Sequence, residues 1–321
     1  YLVFLCLYNY GLIIYICNHF SIIMQEERLI TQCVAADKIG YDFLSGLYDS
    51  LIQIQSENIC VDFSECREFD ANLSAVMGAF LDKLKENGHN IFLKSPKSAG
   101  VKRALSRNKF LKAFDLETKY EDRENYIEYR CFGVSDTQNF KEYIDMELIQ
   151  KERFPSCSEK AKLKIIESIY EIFANAVSHS GSKQVYCCGE VHSRKGKTML
   201  DMTFVNLGKS VVENVNNFLL ERGKTGMDSC QTLEWAFIEG NTTKQVPGGL
   251  GLSILKQFIE MNEGTIQMVS GDAMLEINGN IPTDTKLGKW FPGTIVTVEF
   301  NCNDNKTYIM TDEIPDKDNL F

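Results

Sequence analysis

Glu171-Ile172-Phe173-Ala174-Asn175-Ala176 lies inside a run from Ser158 to Ser180 that reads as one amphipathic helix. Ile165, Ile166, Ile169, Ile172, Phe173 and Ala176 recur at three- and four-residue intervals and form an apolar stripe. Glu171 and Asn175 stand four apart and project from one face at the edge of that stripe. A carboxylate beside a carboxamide positions a water and offers oxygen donors to a hard cation. The same pair also suits a solvated helix edge, so the rest of the chain has to decide. Ser156 and Glu159 read as a capping box that starts the helix, and Gly181 as its stop.

Two glycine-bearing stretches follow. Gly248-Gly249-Leu250-Gly251-Leu252-Ser253 runs into a predicted helix over Leu252–Met261. Glycines there let the backbone approach a ligand, and a helix N-terminus offers N–H groups to an anion such as phosphate. Val205-Asn206-Leu207-Gly208 ends a predicted strand. That strand, Thr198–Asn206, forms a hairpin with Gln184–Glu190 around the polar turn Ser193–Gly196. Ser210–Leu220 and Ser229–Glu239 read as helices, and Thr265–Val269, Met274–Ile277 and Thr294–Phe300 as strands. Helices and strands segregate, which predicts a two-layer α/β sandwich.

Residues 156–302 resemble the GHKL ATP-binding domain (Bergerat fold) of gyrase-type topoisomerases, histidine kinases and mismatch-repair ATPases. Glu171-x-x-x-Asn175-Ala176 matches the N box of that family. Gly249-Leu250-Gly251-Leu252-Ser253-Ile254 matches its second glycine box, followed by the strand entry Glu263-Gly264-Thr265-Ile266. Phe291-Pro292-Gly293-Thr294-Ile295-Val296 resembles its closing strand. The resemblance implies ATP and Mg²⁺ as cofactors. Asn175 would hold Mg²⁺, and Glu171 would act as general base or water positioner in members that hydrolyse ATP. Gly249, Leu250, Gly251 and Leu252 would line the phosphates, and Thr294 would lie on the adenine side. Lys244, in a lid ahead of the glycine box, either reaches a terminal phosphate or is an ordinary solvated lysine.

The first glycine box departs from the family. Asn206-Leu207-Gly208-Lys209-Ser210 carries asparagine where the family has an adenine-binding aspartate, and Ser210 replaces the second glycine. A neutral carboxamide weakens that contact by about 1 kcal/mol. His179 reads as a capping or packing residue, not an autophosphorylation site.

Upstream, residues 25–112 alternate strand and helix. Ala36–Ile54 reads as a helix, Glu57–Ser64 as a buried strand, Leu73–Glu86 as a helix closed by Asn87-Gly88, Asn90–Lys94 as a strand and Ser98–Leu111 as a helix. Ile59-Cys60-Val61-Asp62-Phe63-Ser64, Phe69–Leu73, Gly88 and Ile91-Phe92-Leu93 resemble the STAS domain of sulphate transporters and anti-sigma antagonists. Where phosphorylated members of that family carry serine, this chain has Asp70-Ala71-Asn72, with Ser74 close by. Residues 113–152, including a polar helix over Asp136–Arg153, read as a connector, 153–304 as the ATP-binding domain and 305–321 as a tail.

Composition narrows the function classes. The 321 residues are 44% hydrophobic, enough for two cores, and carry a formal charge of −10. Such an acidic chain is a poor ligand for nucleic acid. Eleven cysteines, none in a CxxC pair, suggest reduced thiols and a cytoplasmic location. Tyr1–Met24 is almost wholly apolar and reads as a translated leader ahead of Met24 or as a membrane anchor. The expected protein binds Mg²⁺-ATP and hydrolyses it or transfers its phosphoryl group as an ATPase or a serine/histidine-kinase-like enzyme. Its partners are expected to be a regulatory protein and, with the oligomeric state open, a second copy of itself. The alternative is a non-catalytic interaction module with a dulled nucleotide site.

Overall fold

Parallel strands joined by helices build the first part of the chain in the computed structural model, which describes residues 25–30, 33–116, 122, 124–194, 196–243 and 251–314. Strand β1 (Gln25–Leu29) is followed by helix α1 (Lys38–Leu51), strand β2 (Asn58–Asp62), helix α2 (Ser74–Glu86) and strand β3 (Asn90–Lys94). The strands pair in parallel in the order β1-β2-β3, each pair bridged by a crossover helix. Asp37 starts α1 by accepting the Gly40 N–H at 2.9 Å. Asn87 closes α2, and Gly88 turns the chain at φ +92°. Nothing in the polar residues of Gln25–Leu29 signals β1; pairing with β2 fixes it. The single helix expected over Ser98–Leu111 divides into α3 (Ala99–Arg107) and α4 (Phe110–Ala113) because Lys109 takes a left-handed φ of 63°.

The second sheet is antiparallel and recruits more of the chain than its motifs suggest. Its elements are β4 (Tyr126–Gly133), α5 (Thr137–Ile144), β5 (Ser156–Cys157), α6 (Glu159–His179), β6 (Gln184–Arg194), β7 (Lys197–Leu207), α7 (Val211–Glu221), α8 (Ser229–Ala236), α9 (Gly251–Asn262), β8 (Thr265–Asn278), β9 (Ile281–Asn301) and β10 (Thr307–Tyr308). Five strands lie in the order β4-β6-β7-β9-β8, and β5 pairs in parallel with β10. The segment 113–152 is therefore more than a connector. It supplies edge strand β4, paired with β6, and α5, whose Phe140 stacks on Phe173 of α6 at 4.5 Å. The tail also returns to the body: Tyr308 is buried, and its hydroxyl donates to the Asp304 carboxylate and lies 3.1 Å from the Met261 carbonyl. Ser156 belongs to β5, not to a cap. Ser158 caps α6, its hydroxyl accepting the Ala161 N–H at 3.1 Å. Two long strands, β8 and β9, replace the three short ones expected near the C-terminus.

Alternation along the strands explains the layering. Val185 and Cys187, Phe204, Met268 and Val296 join the core beneath α5, α6 and α9, whereas Tyr186 and Cys188, Val205, Val269 and Ile295 join the core of the first unit. Strands apolar on both faces need cover on both faces. The fold is mixed α/β, with one face of this sheet covered by α5, α6 and α9 and the other by the first unit. At Gly78, an added Cβ would lie 2.0 Å from the Tyr129 hydroxyl, so only glycine lets α2 sit this close to β4.

A polar seam crosses the junction. The Ala71 N–H donates to Glu190 at 2.8 Å, and the Glu190 N–H donates to Asp201 at 2.7 Å. His192 lies 3.4 Å from Asp201 and 3.7 Å from Glu299, with Asp70 also within the seam's field. Burial opposes a charge on His192, but the Asp201 hydrogen bond and charge, then Glu299 and Glu190, outweigh it and hold its pKa up at about 9. Burial, then the Asp201 charge, also pushes the Glu190 carboxyl well above the carboxylate range. Both groups hold their protons more tightly in the folded chain. The His192 contribution is full below its ordinary pKa of about 6.5 and is lost as pH rises through about 9. Denaturant unfolding at pH 6 and pH 9.5 should show the parent losing on the order of 2–3 kcal/mol more across that interval than His192→Gln. Parallel pH profiles for the two proteins would remove His192 from the seam's energetics.

Candidate functional site

Four-residue spacing on α6 places Glu171, Asn175 and His179 in one row, each half-buried, along a cleft of about 950 Å³ open to solvent. That volume includes the solvent-filled mouth, so the lining residues describe the cleft better than its size does. One wall is apolar, with Ile172, Val185, Phe204, Met268 and Val296. The other comes from α7, from α8 through Trp235 and Ala236, and from Asn241, Thr242 and Thr243.

The floor is a cross-strand pair. Asn206 of β7 and Thr294 of β9 face each other in register, 88 positions apart in sequence, and both line the cleft. Ser270 donates its one hydroxyl proton to the Gly293 carbonyl at 2.6 Å and accepts the Val211 N–H at 2.8 Å. In the 2.9 Å contact between Ser270 and Thr294, Thr294 is therefore the donor, which leaves its oxygen to accept. Asn206 is 5% exposed, and its Nδ2 is buried without a hydrogen-bond partner among the described residues. Leaving such a group unpaired costs about 1–3 kcal/mol.

The helix that follows the glycine loop begins at the other end of the row. Gly251, first residue of α9, donates its N–H to Glu171 Oε2 at 2.6 Å. A Cβ on Gly251 would lie 2.2 Å from that oxygen, so the approach of α9 to α6 requires glycine. The carboxylate thus caps a helix in trans, with a favourable charge–dipole contact of about 0.3–1 kcal/mol. Leu252 lines the cleft beside it. Lys244, Gly249 and Leu250 lie outside the described residues.

The first glycine box divides its labour. Gly208, at φ +136°, turns the chain after β7, where a Cβ would strike the Ser180 carbonyl at 2.3 Å; it lies away from the cleft. Ser210 is the N-cap of α7 and forms a reciprocal capping box with Glu213. Serine here has a structural role that glycine cannot perform. Lys209, between them, is exposed and borders the cleft.

Sequence reasoning brought together Glu171, Asn175, Asn206, Gly251, Leu252 and Thr294. It missed His179 as a cleft residue, although its place eight residues after Glu171 was a usable signal. His179 Nδ1 lies 3.3 Å from the Thr243 hydroxyl, which ties the end of α6 to the segment entering the lid. Trp235 and Asn241 carry no motif and are found only through the fold. Among the described residues, no three His, Cys, Asp or Glu side chains converge as a metal site. Asn175 brings a carboxamide oxygen and Glu171 a carboxylate to the cleft, both hard oxygen donors. No family model and no curated protein matches this chain. No helix of the described residues is long and apolar enough to cross a membrane, and Tyr1–Met24 lies outside them.

Proposed function

We propose that the cleft binds Mg²⁺-ATP, in the manner of a Bergerat-type domain, and that the chain is an ATP-dependent regulator that hydrolyses ATP or transfers its phosphoryl group. The observation that supports this reading is the buried, unpartnered Asn206 Nδ2 in the cleft, in register with Thr294 and in the same cleft as the Glu171–Asn175 row. The base would bind at that pair. The phosphates would extend towards Asn175 and the start of α9, where helix N–H groups favour anions. Asn175 would hold Mg²⁺ through its carboxamide oxygen, and the ion would supply charge neutralisation on the phosphates. Glu171 would orient or deprotonate the attacking water or hydroxyl.

The STAS-like unit would respond to nucleotide through the five-stranded sheet, whose far face it packs against. Its own phosphoacceptor position is closed: Asn72 is buried with its Nδ2 donating to Thr203 at 3.1 Å, and Ser74 is buried with its hydroxyl accepting from Asn108 at 2.9 Å. A phosphoacceptor on a separate regulatory partner fits this better than one within the unit. The second reading, a non-catalytic nucleotide-sensing or interaction module, is favoured by the contact from Gly251 to Glu171, since a carboxylate that caps a helix has a purpose without chemistry.

Titration of the purified chain with Mg²⁺-ATP tests the proposal. Saturable binding is expected, weakened about tenfold or more by Asn175→Ala, in keeping with the loss of one charge-assisted contact. No binding at millimolar ATP would reject it. A phosphorylated product found only when a partner protein is added would select kinase over hydrolase.

A further inference from the structure

The geometry points to a purine site that accepts 6-oxo purine nucleotides such as GTP as well as ATP, with Asn206 as the residue that sets this breadth; the inference rests on the nucleotide-binding reading above. A carboxylate at this position only accepts hydrogen bonds, whereas a carboxamide has an accepting and a donating end. Adenine presents an amino donor at C6 and an acceptor at N1. Guanine presents the reverse, an acceptor at O6 and a donor at N1. Rotating the Asn206 amide by half a turn about its terminal torsion, which is broad and roughly two-fold, exchanges its two ends and matches either pattern.

Three features leave that rotation open. Asn206 Nδ2 has no partner among the described residues to fix it. Its neighbour Thr294, whose proton goes to Ser270, presents an acceptor and so can take a purine N–H in either case. The adjoining wall at Val185, Met268 and Val296 is apolar and contacts a base without reading its edge. Each bidentate contact of this kind discriminates by about 1–3 kcal/mol when only one pattern fits. With both patterns available, that discrimination disappears.

The test is competition binding to the whole chain with Mg²⁺ complexes of ATP, GTP, ITP and UTP, for the parent and Asn206→Asp. For the parent, GTP and ITP are expected within about tenfold of ATP, and UTP at least about 100-fold weaker, because a pyrimidine does not reach both floor residues. In Asn206→Asp, GTP and ITP should weaken about 100-fold while ATP is held or improved, since the carboxylate then faces the O6 lone pairs. Thermal unfolding without nucleotide, matched between the two proteins, excludes a folding defect as the cause. Tight ATP binding with GTP and ITP at least about 100-fold weaker in the parent would overturn the inference and leave the ATP reading standing. Equal binding of UTP would overturn it by showing that the base is not read. Absence of binding by every nucleotide would reject the underlying nucleotide site.

Discussion

Phe140→Ala is expected to remove about 3–5 kcal/mol of stability, the cost of emptying a fully buried aromatic position. Phe140 lies in α5, within a segment whose composition reads as a connector. Its ring stacks on Phe173 at 4.5 Å and also meets Phe132 of β4 at 5.4 Å and Phe204 of β7 at 6.1 Å. The side chain therefore joins an edge strand, a central strand and the helix that carries the Glu171–Asn175 row. Denaturant unfolding followed by far-UV circular dichroism gives the measurement. A loss below about 1 kcal/mol, the scale of an exposed substitution, would restore the segment to a linker. Because Phe173 sits between Ile172 and the Asn175 turn, the same variant should also weaken nucleotide binding in proportion to the displacement of α6.

Glu171→Gln separates the two duties of Glu171. The amide oxygen of glutamine still accepts the Gly251 N–H, so the start of α9 and the binding of Mg²⁺-ATP are expected to survive. Removing the carboxylate should lower turnover by about 10²–10⁴-fold, the range of a lost general base. Glu171→Ala removes the acceptor as well and should cost about 1 kcal/mol of stability in addition, as for a deleted helix cap. Steady-state ATP turnover and binding on the same preparations distinguish the outcomes. Parent-like turnover in Glu171→Gln would leave Glu171 as a cap alone and favour the non-catalytic reading.

The local features of the site were legible in the sequence for a physical reason. Helical spacing is set by residues three and four apart, so the stripe Ile165–Ala176 and the row Glu171–Asn175 are visible without the fold. Gly251 was legible as a close-approach position, but what approaches it was not. The contact comes from Glu171, 80 positions earlier, by a hydrogen bond that no local pattern encodes. His179 was passed over because one histidine near a helix end carries little local information, and its partner Thr243 lies 64 residues away. Ser210 read as damage to a glycine box, yet it caps α7.

What the sequence by itself determined was the local alphabet: the α6 stripe, the capping residues and strands such as Val185–Cys188 that are apolar on successive positions. Alternate side chains point to opposite sides of a sheet, and in the folded chain both faces of these strands are covered. Only the tertiary structure decided what supplies the second cover, namely the first unit packed through α1 and α2. Only strand register set Asn206 against Thr294, since pairing between β7 and β9 depends on the whole sheet and a one-residue slip would put the two side chains on opposite faces of it.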